Sequence, residues 1–274
     1  MSVLDRTPPT AAHRIHYGPG DSQFGDLWLP ATHTPPPLVV FIHGGWWQSE
    51  YDLAYAGHLC ADLKAHNIAT WSIEYRRVGS TGGGWPATFQ DVAAAYDYLP
   101  TLGRTYPLNL ARPIAMGHSA GGHLAFWLAA RHHIPASSPL HTPQPTLPLH
   151  AVIALAGAVD LALTISLSTP SAFPLGGPAT QVLIGGSPSD HPDRYQAADP
   201  GQLLPLNLKQ FLVQGAQDTI VPPQLASLYA EKARKQGDQV TVIPISHADH
   251  FDVVDPQSQA WPTIRTLVQQ LTKP

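Results

Sequence analysis

The segment Gly117-His118-Ser119-Ala120-Gly121-Gly122 sets a serine between glycines, directly after an apolar run and directly before an Ala-rich stretch. A serine hydroxyl is a weak nucleophile until a base takes its proton. Glycines two positions to either side allow a sharp turn between strand and helix, which lifts the hydroxyl onto the edge of a sheet. At that place the free amides and the positive end of the helix favour a developing oxyanion. A serine N-cap flanked by packing glycines would spell the same letters. The strand–turn–helix setting favours the nucleophile, Ser119, and the chemistry is acyl transfer.

Such a serine needs a histidine base and a carboxylate that orients it. For a nucleophile in this setting both follow later in the chain, acid first. Asp218, in "VQGAQDTIVPP", lies just past the apolar run 210–215 and is the one carboxylate there. His247 and His250, in "SHADHFDVVD", both follow the run 240–245. Periodicity does not separate them. Phe251 would anchor the loop of His250 against the core and inclines the choice that way, while His247 could still reach. Asp249 and Asp252 are too near His250 in sequence to orient it, and Asp193 and Asp199 fall in an irregular stretch.

These residues need a frame. The runs 38–43, 68–75, 113–118, 151–157, 210–215 and 240–245 are short, rich in β-branched residues and almost continuously apolar, as strands covered on both faces are. Between them lie the amphipathic or Ala-rich stretches 51–66, 86–99, 120–133, 222–236 and 256–271. Pro86 and Pro222 stand where a helix start tolerates proline. The alternation predicts an α/β fold with a mostly parallel sheet of about seven or eight strands and helices on both faces. "HRIHYG" and "GDLWLP" predict an antiparallel hairpin at one edge. The 274 residues are read as a single domain. Residues 160–205, rich in Pro, Gly and Ser, are too long for a simple connection and could form a cap or lid.

Composition narrows the partners. A net charge of -4 with no basic block argues against nucleic acid. No apolar run spans a bilayer, and the N-terminal residues have no apolar core of signal-peptide type, so a soluble, cytoplasmic protein is expected. Cys60 is the sole cysteine, which excludes an internal disulfide; its apolar, helical surroundings suit a packed thiol. Fifteen histidines raise the question of a metal. With no H-E-x-x-H and no cysteine pair, neither metal nor organic cofactor is expected. His132 and His133, adjacent on a helix, would point apart by about 100°.

Taken in order, "FIHGGWWQS", "GHSAGGHLA", "QGAQDTIVP" and "DHFDVVD" resemble the α/β-hydrolase esterases, close to the arylformamidase (kynurenine formamidase) and hormone-sensitive-lipase-like branch. The resemblance runs from about residue 38 to 255. Its H-G-G-x-W marker is met by His43, Gly44, Gly45 and Trp47, and its final D-H-F makes His250 the base. "EYRRVG", residues 74–79, is similar to a segment that is mainly structural there. The Pro-rich stretches 135–148 and 164–205 match no motif of that family.

This likeness implies an oxyanion hole formed by the amides of Gly44, Gly45 and Ala120. One such donor is worth about 3 kcal/mol. Trp46 and Trp47 would flank the site, unless one tryptophan packs beneath the loop to hold it rigid, a role expected of Trp47. His118 and Trp85 would line the same pocket, and loop anchoring is the alternative for Trp85. The function implied is a serine hydrolase cleaving small carboxylic esters or aryl formamides, needing no cofactor. A short-chain carboxylesterase without formamidase activity fits almost as well. A silent hydrolase-fold binding protein would have lost a triad member or an oxyanion glycine, and none is missing. A homodimer could form through edge strands or the last helix.

Overall fold

Side-chain alternation along residues 38–42 explains why the central runs are apolar throughout. Leu38, Val40 and Ile42 enter one core cluster while Val39 and Phe41 enter another. All five are fully buried. Successive strand residues face opposite sides, so both faces of the sheet must be covered.

The computed structural model describes residues 2–142, 147–169, 171 and 174–273. Its strands are β1 (His13–His16), β2 (Phe24–Trp28), β3 (Pro37–Ile42), β4 (Ala69–Ile73), β5 (Asn109–His118), β6 (Ala151–Leu155), β7 (Lys209–Gly215) and β8 (Val240–Ile245). The helices are α1 (Gly57–Ala65), α2 (Ala87–Asp97), α3 (Leu99–Thr105), α4 (Ala120–Ala130), α5 (Leu161–Leu167), α6 (Gly176–Ile184), α7 (Pro192–Ala198), α8 (Pro223–Lys235) and α9 (Trp261–Thr272).

The strands form one sheet in the order β1-β2-β4-β3-β5-β6-β7-β8. The hairpin β1–β2 is antiparallel, as is β2 against β4, and the remaining pairs are parallel. This is the α/β-hydrolase architecture that the resemblance implied. Helices α2, α4 and α8 cover one face; α1 and α9 cover the other. Trp261 Nε1 donates to Asp62 at 2.7 Å, which ties α9 to α1. Cys60 is fully buried on the same side. Register then brings the working ends together. Ile42 pairs with Gly117, His118 with Leu155, Leu155 with Val213, and Gly215 with Ile245. The loops leaving β3, β5, β7 and β8 therefore open at one edge.

Two expectations change. The described residues of 160–205 are not an irregular stretch: they hold α5, α6 and α7. The prolines and glycines there act as helix punctuation. Pro192 sits in the first turn of α7, and Gly185 ends α6 at φ +89°. Asp160 caps α5 by accepting from Leu163 N–H at 2.8 Å. The segment packs on the body, with His123 and Trp127 of α4 donating to the carbonyls of Ala198 and Ala197, each at 2.9 Å. Pro170 of this stretch, and Pro143 and Pro145 of the stretch 135–148, lie outside the described residues. His132 and His133 do not diverge, because they sit in a tight 3-10 turn that brings their ring centroids to 4.0 Å.

Candidate active site

Ser119 lies between β5 and α4 with φ 54° and ψ −120°. A non-glycine residue there is strained by about 1–3 kcal/mol and persists only when its neighbours fix it. Here Ser119 N–H donates to Leu155 O at 2.9 Å, and its own carbonyl accepts from Gly122 at 2.9 Å and Ala158 at 3.2 Å. The flanking glycines are required by close approach. A Cβ on Gly117 would sit 2.0 Å from Gly121 O, and one on Gly121 would sit 2.1 Å from Ile42 O. Ala120 opens α4, so its amide is among those no intrahelical carbonyl can reach.

His250 and Asp218 meet where the resemblance put them. Asp218 Oδ2 accepts from His250 Nδ1 at 2.8 Å and from Gln214 Nε2 at 2.9 Å. Its Oδ1 accepts from the amides of Ile220 and Val221 at 2.8 and 2.9 Å. The carboxylate is thus saturated with donors, and His250 keeps its hydrogen on Nδ1. Its Nε2 is left as the basic nitrogen. Both groups are buried. His247, by contrast, is exposed and borders a separate depression with Ala248 and Thr263. Asp249 and Asp252 bond to backbone amides within their own loop.

Ser119 and His250 share a cavity of about 200 Å³ with Gly45 and Trp46. Leu4, Tyr51, Tyr55, His118, Ile220 and Phe251 complete walls that are largely apolar. None of the described residues 160–205 lines it. A larger depression of about 320 Å³, against Pro8, Arg14, Asp26 and Trp28, contains no candidate residue, so the chemistry selects the smaller one.

The loop after β3 departs from expectation at Gly44, bears out the packing role expected of Trp47, and decides between the two roles open to Trp85. First, the Gly44 amide, expected as an oxyanion donor, instead donates to Tyr55 Oη at 2.7 Å, while Gly45 borders the cavity and Ala120 opens α4. Gly44 is needed for another reason: a Cβ would meet Ser119 Cβ and His118 O, each at 2.8 Å. Second, Trp47 does not line the cavity. It is fully buried and stands edge-on to His123 at 5.3 Å, so the packing role holds. Third, Trp85 is a loop anchor. Its amide donates to Leu183 O, its ring meets Phe89 at 5.7 Å, and it is absent from the cavity walls.

Beneath this loop, His43 Nε2 meets Glu74 Oε1 at 3.0 Å while Nδ1 meets Gly44 O at 2.8 Å. Tyr75 stacks on the His43 ring at 4.5 Å and donates to its carbonyl at 2.9 Å. Burial pushes the Glu74 carboxyl up, but His43 and Arg77 more than offset it and hold it below its ordinary value. The structural role implied for residues 74–79 is visible in these bonds.

His118 lines the cavity wall as expected. Its Nδ1 lies 2.8 Å from Tyr55 Oη and its Nε2 lies 2.9 Å from His250 O. Burial, and after it the neighbouring His250, hold its pKa well below the usual imidazole value, so the ring is neutral. Tyr51, Tyr55, Leu4 and Ile220 escaped the sequence reading. The pair Tyr51 and Tyr55, just past the two tryptophans, was its available signal. Among the described residues no group of three or more His, Cys, Asp or Glu side chains could hold a metal ion, and no helix is long and apolar enough to cross a membrane.

Residues 26–233 match the family described as BD-FAE. Esterase LipC of Mycobacterium tuberculosis is 26% identical over 92% of this chain, which spans 65% of that relative's length. Kynurenine formamidase of Drosophila melanogaster is 21% identical, covering 88% of this chain and 75% of that one. Among solved structures, a truncated carbohydrate esterase from gut microbiota superposes with a TM-score of 0.80 at 20% identity, covering 97% of both chains.

Proposed function

The chain belongs to the BD-FAE family, and from that premise we propose that it is a serine hydrolase of small carboxylic esters. One observation carries the reading: a strained, buried serine shares an apolar cavity with a histidine whose Nδ1–H is held by a saturated carboxylate. Ser119 Oγ attacks the ester carbonyl as His250 Nε2 takes its proton. The oxyanion forms against the amides of Gly45 and Ala120. Collapse breaks the bond to the alcohol, which leaves with the proton from His250. Water then enters, His250 removes a proton from it as its oxygen bonds to the acyl carbon, and the acyl–Ser119 bond breaks as His250 returns the proton to Ser119 Oγ, giving the acid and free serine. Asp218 fixes the tautomer and stabilises the imidazolium that forms transiently.

Cavity size supports a small substrate. An apolar cavity of about 150 Å³ takes benzene, so about 200 Å³ suits a short acyl chain or a single ring. A second reading, hydrolysis of an aryl formamide, is favoured by the aromatic walls Trp46, Tyr51 and Phe251 and by the formamidase relative. Measuring kcat/KM for p-nitrophenyl acetate and butyrate against N-formyl-L-kynurenine, in wild type and Ser119→Ala, tests both. Ester turnover abolished in a folded Ser119→Ala is expected. A folded, active variant would remove the mechanism, and formylkynurenine winning by orders of magnitude would install the second reading.

A further inference from the structure

Resting on the serine-hydrolase reading, we infer that Tyr55 and His118 are positioning residues that hold the loop after β3, the turn at Ser119 and the loop of His250 in fixed mutual register. Four groups form one chain: Gly44 N–H, Tyr55 Oη, the His118 ring and the His250 carbonyl, at 2.7, 2.8 and 2.9 Å. The direction of every hydrogen is forced. His250 O can only accept, so His118 carries its hydrogen on Nε2. A neutral ring then accepts at Nδ1, so Tyr55 donates there. Gly44 N–H can only donate, and the Tyr55 oxygen receives it.

Each link also fixes a part of the reaction machinery. Gly44 precedes Gly45, which borders the cavity and supplies an amide of the proposed oxyanion hole. His118 precedes Ser119. The carbonyl of His250 belongs to the base itself. Asp218 restrains the ring of His250 from one side, and His118 restrains its backbone from another. The Gly44 Cα is packed so closely on Ser119 that a Cβ does not fit, so spacing between these loops leaves little tolerance. Burial raises the Tyr55 hydroxyl well above its ordinary value, and the neutral His118 ring matches it. The donor order therefore stays the same across the range in which the enzyme would be assayed. Neither residue gives or takes a proton in the reaction.

The test uses Tyr55→Phe, His118→Gln and His118→Ala with p-nitrophenyl butyrate, with circular dichroism melts to show folding. Phenylalanine keeps the ring and removes only the hydroxyl. Misplacement of reacting groups by about 1 Å can cost about 100-fold in rate. Tyr55→Phe is therefore expected to lower kcat about 10- to 100-fold with KM nearly unchanged. A glutamine amide offers an acceptor and an N–H in the same sense as the ring, so His118→Gln should recover at least about tenfold over His118→Ala. A folded Tyr55→Phe with wild-type kcat overturns the inference, as does equal loss in His118→Gln and His118→Ala. If Tyr55→Phe does not fold, the His118 pair decides. Turnover surviving in Ser119→Ala would instead bring down the hydrolase reading beneath it.

Discussion

Asp218→Asn is the sharpest single change, because the donors around this side chain are all accounted for. In the wild type, four donors converge on two oxygens. An asparagine has one oxygen and one NH2 group, and either orientation fails. With the oxygen toward Ile220 and Val221, the NH2 group faces Gln214 Nε2 and His250 Nδ1–H. Turned over, it faces the two backbone amides. Gln214 cannot easily flip to compensate, since its Nε2 also lies 3.3 Å from Val221 O. The imidazole can adapt by moving its hydrogen to Nε2 and accepting at Nδ1, but that removes the basic Nε2 on which the proposed mechanism relies. Inverting the tautomer in a serine triad costs about 10⁴-fold in kcat, or about 5 kcal/mol at about 1.36 kcal/mol per decade. The donors that remain unpaired add a stability loss of about 1–3 kcal/mol each. The assay is kcat for p-nitrophenyl acetate with a urea melt on the same preparation. A folded Asp218→Asn with kcat within tenfold of wild type would refute the reasoning.

Three further outcomes are expected. Gly121→Ala drives a Cβ to 2.1 Å from Ile42 O and 2.4 Å from His43 O, both backbone atoms. β3 and α4 must separate at about 3 kcal/mol, the upper end for overpacking, and calorimetry should show Tm lower by roughly 6–12 °C; an unchanged Tm would contradict the packing. Leu4, 47% exposed on the cavity wall, should limit acyl length: Leu4→Ala should raise octanoate over acetate kcat/KM about tenfold in a p-nitrophenyl ester series, within the range one methylene commands in an apolar pocket. An unaltered chain-length profile would remove that wall from the site. His123 is lowered from 6.5 to about 4, chiefly by burial and against the pull of Ala198 O. The unfolded chain then binds more protons between about pH 4 and 6.5, so stability falls as pH drops through that window. His123→Gln keeps the donor to Ala198 and should erase about 3 kcal/mol of that slope, read by urea unfolding at stepped pH; an identical slope would sink the assignment.

The parts of this molecule legible in the sequence are those whose constraint is local. The run 113–118 and the glycines around Ser119 specify strand, turn and helix within ten residues, and the structure repeats them. The six apolar runs become parallel strands, and burial on both faces demands apolar residues throughout 38–42, while the edge strand β8 exposes Thr241 and Pro244. What was hidden depends on contacts between distant segments. Gly44 reads as an oxyanion donor until Tyr55, eleven residues on, takes its amide. Trp85 reads equally as wall or anchor until Leu183 and Phe89 claim it. Leu4 could not be assigned to the cavity, since its place is set by Val3 buried in the core and by the Arg6–Asp255 ion pair. Residues 160–205 looked irregular because their helices, at most nine residues long, are too short to develop an apolar period.

The double tryptophan after Gly45 finds its physical reason in backbone strain. Gly45, Trp46 and Trp47 all adopt positive φ, at 111°, 53° and 58°. For two bulky residues this costs about 1–3 kcal/mol each, so about 2–6 kcal/mol must be offset nearby. A fully buried indole removes up to about 250 Å² from water, which at about 25 cal/mol per Å² stabilises by about 6 kcal/mol. Trp47 has no exposed surface, but its indole N–H is buried without a hydrogen-bond partner, which takes back about 1–3 kcal/mol. Its carbonyl also accepts from Val78 N–H at 2.8 Å, pinning the loop to the segment after β4. The burial of one tryptophan therefore offsets most of the strain of the left-handed run. Trp46 is released from that duty and can face the cavity beside Ser119. A single tryptophan could not both anchor the strained loop and line the site, because the anchor must be buried where the substrate cannot reach.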